Sequence, residues 1–239
     1  MQQLPTTVTQ ARPARRRWVV LAAGAVALLC AAGLATVWLI RSPPPYWPPL
    51  DGSDPAIAAL AERVEAAVAS QTTAVRPAQE LWALELTQEQ INAWLAARLP
   101  LWLANQGVDR QVVEAVRRAM VQIGSRQVEL AAELRFQGSA QIVRLVYRPM
   151  IVENQPVRLQ LHAAYLGRLR VPMHLLVERV AGGMAGAEAH EVAEVIATLR
   201  SIEVQSPVDD HRWVAAMGVE LSDGRAVLTC RTVRRDPTP

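Results

Sequence analysis

From Trp18 to Ile40 the chain reads WVVLAAGAVALLCAAGLATVWLI, without a single charge. As a helix this stretch is about 34 Å long, enough to cross a hydrocarbon core of about 30 Å. Arg12, Arg15, Arg16 and Arg17 stand before it, and Arg41 and a proline-rich run follow. The arginine cluster favours a cytoplasmic N-terminus, which puts everything after the apolar stretch on the other side of a membrane. A cleaved signal peptide has an apolar core of about 7–15 residues that ends in small side chains. Here the core is longer and closes on Trp38-Leu39-Ile40. A lipoprotein signal wants a small residue before its cysteine, whereas Leu29 precedes Cys30. The expectation is an uncleaved anchor with Trp18 and Trp38 at the two interfaces. Ala23, Ala27, Ala31 and Ala35 fall at the i+4 spacing of a helix–helix contact. So alanine-rich a segment produces that spacing by chance.

The rest is long enough for one globular domain. All 25 basic residues are arginine, and with abundant Ala and Val this looks like the codon bias of a G+C-rich genome. The formal charge of +3 misleads when taken over the whole chain. Residues 1–41 hold five Arg and no acid, which leaves 20 Arg against 22 acids, or −2, in residues 42–239. A nucleic-acid binder would carry a basic stripe on the domain; none is visible, and no nucleic-acid partner is expected. Cys30 and Cys230 lie too far apart in context to pair, so no disulfide framework is expected. Cys230, between Thr229 and Arg231, reads as a small strand side chain.

The divisions expected are a basic tail at 1–17, an anchor at 18–40, a proline-rich linker at 41–53, a domain at 54–233 and a polar tail at 234–239. Five prolines between Arg41 and Leu50 favour an extended, semi-rigid spacer. Tyr46 and Trp47 are expected near the headgroups. A helix begins at the Asp54 N-cap with Pro55 at its first position. Ile57, Leu60, Ala61, Val64 and Val68 form its core face. A strand, 80–86, alternates Leu81, Leu84 and Leu86 with Glu80 and Glu85. Thr87-Gln-Glu-Gln90 is a capping box that opens a second helix, with Ile91, Trp94, Leu95 and Leu99 as its stripe. Pro100 closes that helix. Leu101-Trp102-Leu103 reads as core, with a lipid-touching lip as the alternative. A short helix is expected over 109–118.

From Met120 to Tyr165 the period changes from 3.6 to 2. Val128, Leu130, Ala132, Leu134 and Phe136 alternate with Gln127, Glu129, Glu133 and Arg135. The run 141–152 is apolar on both registers and reads as central. Val157, Leu159, Leu161, Ala163 and Tyr165 alternate in a third strand. Short turns at Gly124-Ser125, Gly138-Ser139 and 153–156 make this an antiparallel meander with one apolar face. A helix follows Pro172, with Met173, Leu176, Val177, Val180 and Met184 as its stripe. Another helix carries Val192, Val195, Ile196 and Leu199. Strands 213–221 and 226–233, joined by Ser222-Asp223-Gly224, close the chain.

Residues that could carry chemistry are sparse. His190-Glu191 begins like a zinc-peptidase helix, but Glu194 stands where the second histidine belongs, so a solvated helix face is the better reading. His162 and His174 share no ligand spacing with a Cys or acid cluster, so no metal is expected. Asp209-Asp210-His211 reads as turn residues rather than a cation site. Ser125 and Ser139 follow glycine in hairpin turns, not in a nucleophile elbow. Gly182-Gly183-Met184-Ala185-Gly186 lacks the strand and lysine of a phosphate loop. Trp94 and Trp102 suit core packing better than stacking on a sugar or base. The expectation is a non-enzymatic protein without a cofactor.

Leu86-Thr87-Gln-Glu-Gln-Ile91-Asn92-Ala93-Trp-Leu95, following an anchor and an amphipathic helix, resembles the YpmS-like family of membrane-anchored envelope proteins. Gly167-Arg-Leu-Arg-Val-Pro172 is similar to that family's glycine-to-proline exit from its sheet. The resemblance covers about residues 54–180. It implies a place, the bacterial inner (cytoplasmic) membrane with the domain outside the cytoplasm, and a sheet wrapped against helices as in tubular lipid-binding domains. The resulting expectation is an α+β fold: one transmembrane helix, then a curved antiparallel sheet (meander plus C-terminal hairpin) packed on amphipathic helices. Its function is expected to be binding of membrane lipid or another apolar ligand, with Ile91, Trp94, Leu95, Leu130, Leu134, Leu145, Leu159 and Leu161 as lining. The alternative is a structural envelope scaffold that docks a membrane-protein partner, another envelope protein, and has no ligand cavity.

Overall fold

An unbroken helix leads into the domain. In this computed structural model, which describes residues 13–77, 79–107, 116–136, 139–175 and 199–234, α1 runs from Pro13 to Arg41. Its Gly24–Arg41 window has a mean hydropathy of 1.8 and is nowhere buried by the rest of the protein. It is long and apolar enough to cross a membrane.

The next elements follow the sequence closely. Asp54 caps α2 (Pro55–Thr73) by accepting a hydrogen bond from the Ala56 N–H at 2.8 Å. Ala61 and Val64 are buried on its inner face, which packs against α3 (Gln88–Ala97). The capping box forms in full: Thr87 Oγ1 accepts from the Gln90 N–H at 3.2 Å, and Gln90 Oε1 accepts from the Thr87 N–H at 2.9 Å. Pro100 does not stop the helical run. It sits in the first turn of α4 (Leu99–Asn105), where a missing N–H costs nothing, and starts a new helix.

Two antiparallel sheets make up the β structure. The meander sheet orders β2 (Val116–Ile123), β3 (Val128–Phe136), β4 (Ser139–Met150), β5 (Arg158–Leu166) and β6 (Leu169–Val171), and β7 (Ser201–Glu203) also pairs with β5. The second sheet contains β1 (Leu81–Thr87), β8 (Gln205–Pro207), β9 (Arg212–Ser222) and β10 (Arg225–Arg234), in the order β1-β10-β9-β8. The C-terminal hairpin thus pairs with β1 in a sheet of its own rather than extending the meander.

The two sheets meet at the ends of β2 and β5. There the Val157 N–H donates to the Ala216 carbonyl (2.7 Å), Ala216 to Val204 (2.9 Å) and Val204 back to Val157 (2.9 Å). Val157 is completely buried in this ring. The Gly224 N–H at the hairpin tip donates to the Ile123 carbonyl at 2.9 Å.

Several sequence expectations need correction. Leu81 is exposed and Trp82 is buried, so β1 turns Trp82, Leu84 and Leu86 inward. Leu101 and Trp102 are 58 % and 47 % exposed and do not belong to the core. Residues 116–118 are strand rather than helix; 109–115 lie outside the described residues, as does the expected helical stretch 176–198. In β5, Val146 faces Ala163 but Tyr147 faces Leu161, which leaves His162 as a bulge. The bulge flips the alternation, so Leu159 and Leu161 share a face with Ala164 and Leu166, not with Ala163. Gly167-Arg168 is not the exit from the sheet but a two-residue turn into β6, since Leu166 pairs with Leu169.

The largest difference is that the meander has two covered faces. One carries Val143, Leu145, Tyr147, Ala164 and Leu166. The other buries Glu129, Ala131, Val146 and Ala163, which alternation assigned in part to solvent. Residues 42–53 strap across this second face.

Candidate functional site

The feature that joins the apolar helix to the domain is built from carbonyl oxygens and arginines. The last carbonyls of a helix lack intrahelical partners. In α1 the Ser42 hydroxyl and N–H both donate to the Trp38 carbonyl, at 2.8 and 2.9 Å. The Arg168 N–H donates to the Leu39 carbonyl at 2.9 Å, and Arg168 Nε donates to the Pro43 carbonyl at 2.8 Å. A cation here also complements the negative end of the helix dipole. Gly167 makes the approach possible. Its φ is +59°, and a Cβ at this position would lie 2.2 Å from the Ile40 oxygen and 2.6 Å from that of Leu39. The β5–β6 turn therefore receives the end of α1 directly.

From there the strap crosses the sheet. Pro44 is completely buried. Tyr46 sits over Arg144 of β4, with the guanidinium carbon 5.8 Å from the ring centroid, and Tyr165 flanks the same guanidinium at 4.7 Å. Arg144 Nε donates to Glu129 Oε1, and the two side chains are only 14 % and 10 % exposed. A buried arginine is tolerable when its charge is paired and its faces are covered by aromatic rings. Tyr46, expected near the headgroups, packs into this cluster. Farther along, Asp51 lies within electrostatic reach of Arg118, and the Ser53 N–H and hydroxyl donate to its carboxylate at 2.9 and 2.8 Å. Those bonds hold the Asp51 carboxyl below its ordinary value. Gly52 then presses on the end of α3, where a Cβ would meet the Ala96 oxygen at 2.1 Å.

The open edge of β2 is closed by side chains of α3. Asn92, itself buried, donates to the Val121 carbonyl (3.0 Å) and accepts from the Val121 N–H (2.6 Å). Gln88 Oε1 accepts from the Ile123 N–H at 2.9 Å. Unpaired strand edges invite pairing with other chains, and here the outward groups of Val121 and Ile123 are occupied.

The eight apolar residues expected to line a ligand site do not all converge. Leu134, Leu145, Leu159 and Leu161 belong to the meander core. Ile91 and Leu95 pack with Val121, Ile123 and Ala226 in a separate cluster, and Leu130 touches both. Trp94 meets Trp102 edge-on, with ring centroids 6.3 Å apart. Leu95 lines an open groove of about 460 Å³ with the strap residues Pro48 to Ser53, Leu99, Pro100 and Arg118. Leu161 lines another, of about 510 Å³, with Ala164, Val171 and Met173.

The candidates for chemistry stay apart. Asp209 accepts from the His211 N–H (3.0 Å) and from Arg212 Nε (2.6 Å), and these bonds hold its carboxyl below the usual range. It is a turn residue in the sense the sequence suggested. No grouping of three His, Cys, Asp or Glu side chains occurs among the described residues; His190 lies outside them. Both cysteines are free, and burial pushes the Cys230 thiol up to about 11. The Ser125 turn belongs to the β2–β3 hairpin, where the Gly124 N–H donates to the Gln127 carbonyl.

Sequence reasoning passed over Arg144, turned Glu129 to solvent, and met Asn92 and Gly167 only inside short motifs, without the contacts they make. One signal was available: an arginine inside the apolar run 142–147 of a central strand requires a partner. Comparison with known proteins adds no name to this arrangement: no family model matches the chain, and no curated protein or solved structure matches it at a significant level.

Proposed function

We propose that this chain is a single-pass protein of a bacterial cytoplasmic membrane whose extracytoplasmic α+β domain works without catalysis, as an envelope scaffold held in one pose on the bilayer. The observation that carries this reading is the seat of α1 on the Gly167-Arg168 turn, where the helix carbonyls of Leu39 and Ile40 leave no room for a Cβ. A carrier that collects ligand benefits from a loose tether. A domain bonded to the end of its own membrane helix has a fixed height and tilt, which suits the docking of a membrane-protein partner.

A reporter fused after Pro239 is expected to be active only outside the cytoplasm, and cytoplasmic activity would reject the orientation. Spin labels on α1 and β10 should give one narrow distance distribution in nanodiscs. A broad distribution would reject the fixed pose.

A second reading, an apolar-ligand module, is favoured by the open groove beside Leu161, Val171 and Met173. Native mass spectrometry of the detergent-extracted protein tests it. Co-purifying lipid that is lost on Leu161→Glu without unfolding supports it, and a ligand-free mass rejects it.

A further inference from the structure

The strand pairing defines which end of the domain lies beside α1. Leu166, next to the turn that seats α1, is level with Val143; Val143 is level with Ala132, and Ala132 with Ala119. One row across the meander therefore leads from the α1 seat to the start of β2. At that corner Leu99 and Pro100 share a groove with Val116, Arg118 and the strap residues Pro48 to Ser53. The short helix α4 thus begins at the α1 end of the domain.

This corner has an unusual surface. On α4, Leu101 is more than half exposed, and Trp102 packs one edge on Trp94 and leaves about half of its surface open. Arg41, Arg118, Arg168 and Arg170 along the same end are exposed. Of the acids nearby, Asp51 is within reach of Arg118, Glu133 stands opposite Arg118 on β3, and Glu62 and Glu65 are already engaged by Arg98, at 3.5 and 2.8 Å. An apolar, tryptophan-bearing helix face beside exposed arginines matches a headgroup layer, where indole rings favour the interface and guanidinium groups find phosphates.

We propose that α4 and these arginines form a second contact with the membrane that α1 crosses, with Leu101 and Trp102 entering the headgroup–acyl boundary and the arginines holding anionic lipid headgroups. The inference rests on the reading of α1 as a membrane span. Contact at two points, one through the bilayer and one on its surface, fixes the domain's rotation about the α1 axis as well as its tilt.

Depth measurement by spin label separates the two claims. The full chain with Cys30→Ser and Cys230→Ala is labelled at Leu101→Cys or, as the control for the span, at Val26→Cys. Each is reconstituted in phosphatidylcholine vesicles with or without an equal part of phosphatidylglycerol. Both labels are expected to be shielded from an aqueous relaxant, the residue-26 label by the bilayer core and the residue-101 label at headgroup depth. In the anionic vesicles, Arg118→Gln with Arg170→Gln should raise the aqueous accessibility of the residue-101 label severalfold, since each arginine near an anionic surface strengthens contact roughly fivefold. A deep residue-26 label with a fully water-exposed residue-101 label in both vesicles would overturn the α4 contact and leave the anchor standing. Shielding that ignores both the anionic lipid and the arginine changes would overturn the headgroup role. A water-exposed residue-26 label would overturn the anchor and this inference together.

Discussion

At its α1 end the meander sheet is held by carbonyl oxygens, arginines and tyrosine rings; at its other end it is held by backbone bonds and aliphatic packing. Val157 and Ala216 tie the two sheets together with main-chain groups that any sequence possesses. Arg168, Arg144 and Glu129 tie the strap and helix to the sheet with side chains that only this sequence provides. The two materials differ in what they accomplish. Apolar burial stabilises without regard to direction, whereas a buried ion pair adds little net stability but is severe about geometry. The distal seam accordingly holds the fold together. The α1 junction specifies how the fold is mounted.

The sharpest way to break this contrast is at the ion pair. Glu129→Ala leaves Arg144 buried and uncompensated and should cost about 3–5 kcal/mol in urea unfolding followed by tryptophan fluorescence. Glu129→Leu combined with Arg144→Met should return to within about 1 kcal/mol of the parent, because the desolvation cost disappears with both charges. If the double variant is as unstable as the single one, stability resides in the individual side chains and the contrast fails.

Next in size is Gly167→Val. A β-branched residue at positive φ, with its Cβ against two carbonyls, should cost about 2–3 kcal/mol. It should also broaden the distance distribution between labels on α1 and β10. A destabilised protein with an unchanged distribution would show that the turn supports the sheet but does not seat the helix.

The smallest effect separates the two apolar interiors. Burial pushes the Tyr147 hydroxyl of the meander sheet up to about 12 from 10.0, and the Cys230 thiol of the second sheet up to about 11 from 9.0. Each folded pKa is raised, so the folded state retains protons that the unfolded chain releases. The contribution is whole below pH 9 and declines as pH rises through the unfolded and then the folded values. Stability should therefore fall between pH 9 and about 12, by no more than about 2.7 kcal/mol for each group. Tyr147→Phe should flatten the upper part of the curve and Cys230→Ala the lower part. Unchanged curves would mean that neither group loses its proton less readily in the fold than in the unfolded chain.

What the sequence revealed was local. The Asp54 cap, the Thr87–Gln90 box and the Asp223-Gly224 hairpin are each written within a few residues, and each forms as read. What it concealed was long-range. Nothing near Glu129 announces that it pairs with Arg144 beneath Tyr46 of a proline-rich segment far earlier in the chain, so it looked like an ordinary solvent-facing acid. The His162 bulge was hidden for a related reason: one inserted residue depends on the partner strand and leaves β5 with the same composition. Trp82 and Leu81 are equally apolar, and only pairing with β10 decides which one turns inward. Leu101 and Trp102 looked like core because Pro100 reads as a helix stop; only the fold shows that Pro100 begins a helix that leaves both side chains about half exposed.

The strap also orders events in time. Arg168 bonds to Pro43 across 125 residues, and Glu85 of β1 meets Arg225 of β10 across 140. A ribosome delivers α1 and the strap first, yet neither Pro43 nor β1 can find its partner until most of the chain has been made. Such distant pairings close slowly, because the entropy of the intervening loop is lost before contacts reward it. The second sheet is therefore completed last, when β10 emerges, with β1 waiting since early in synthesis.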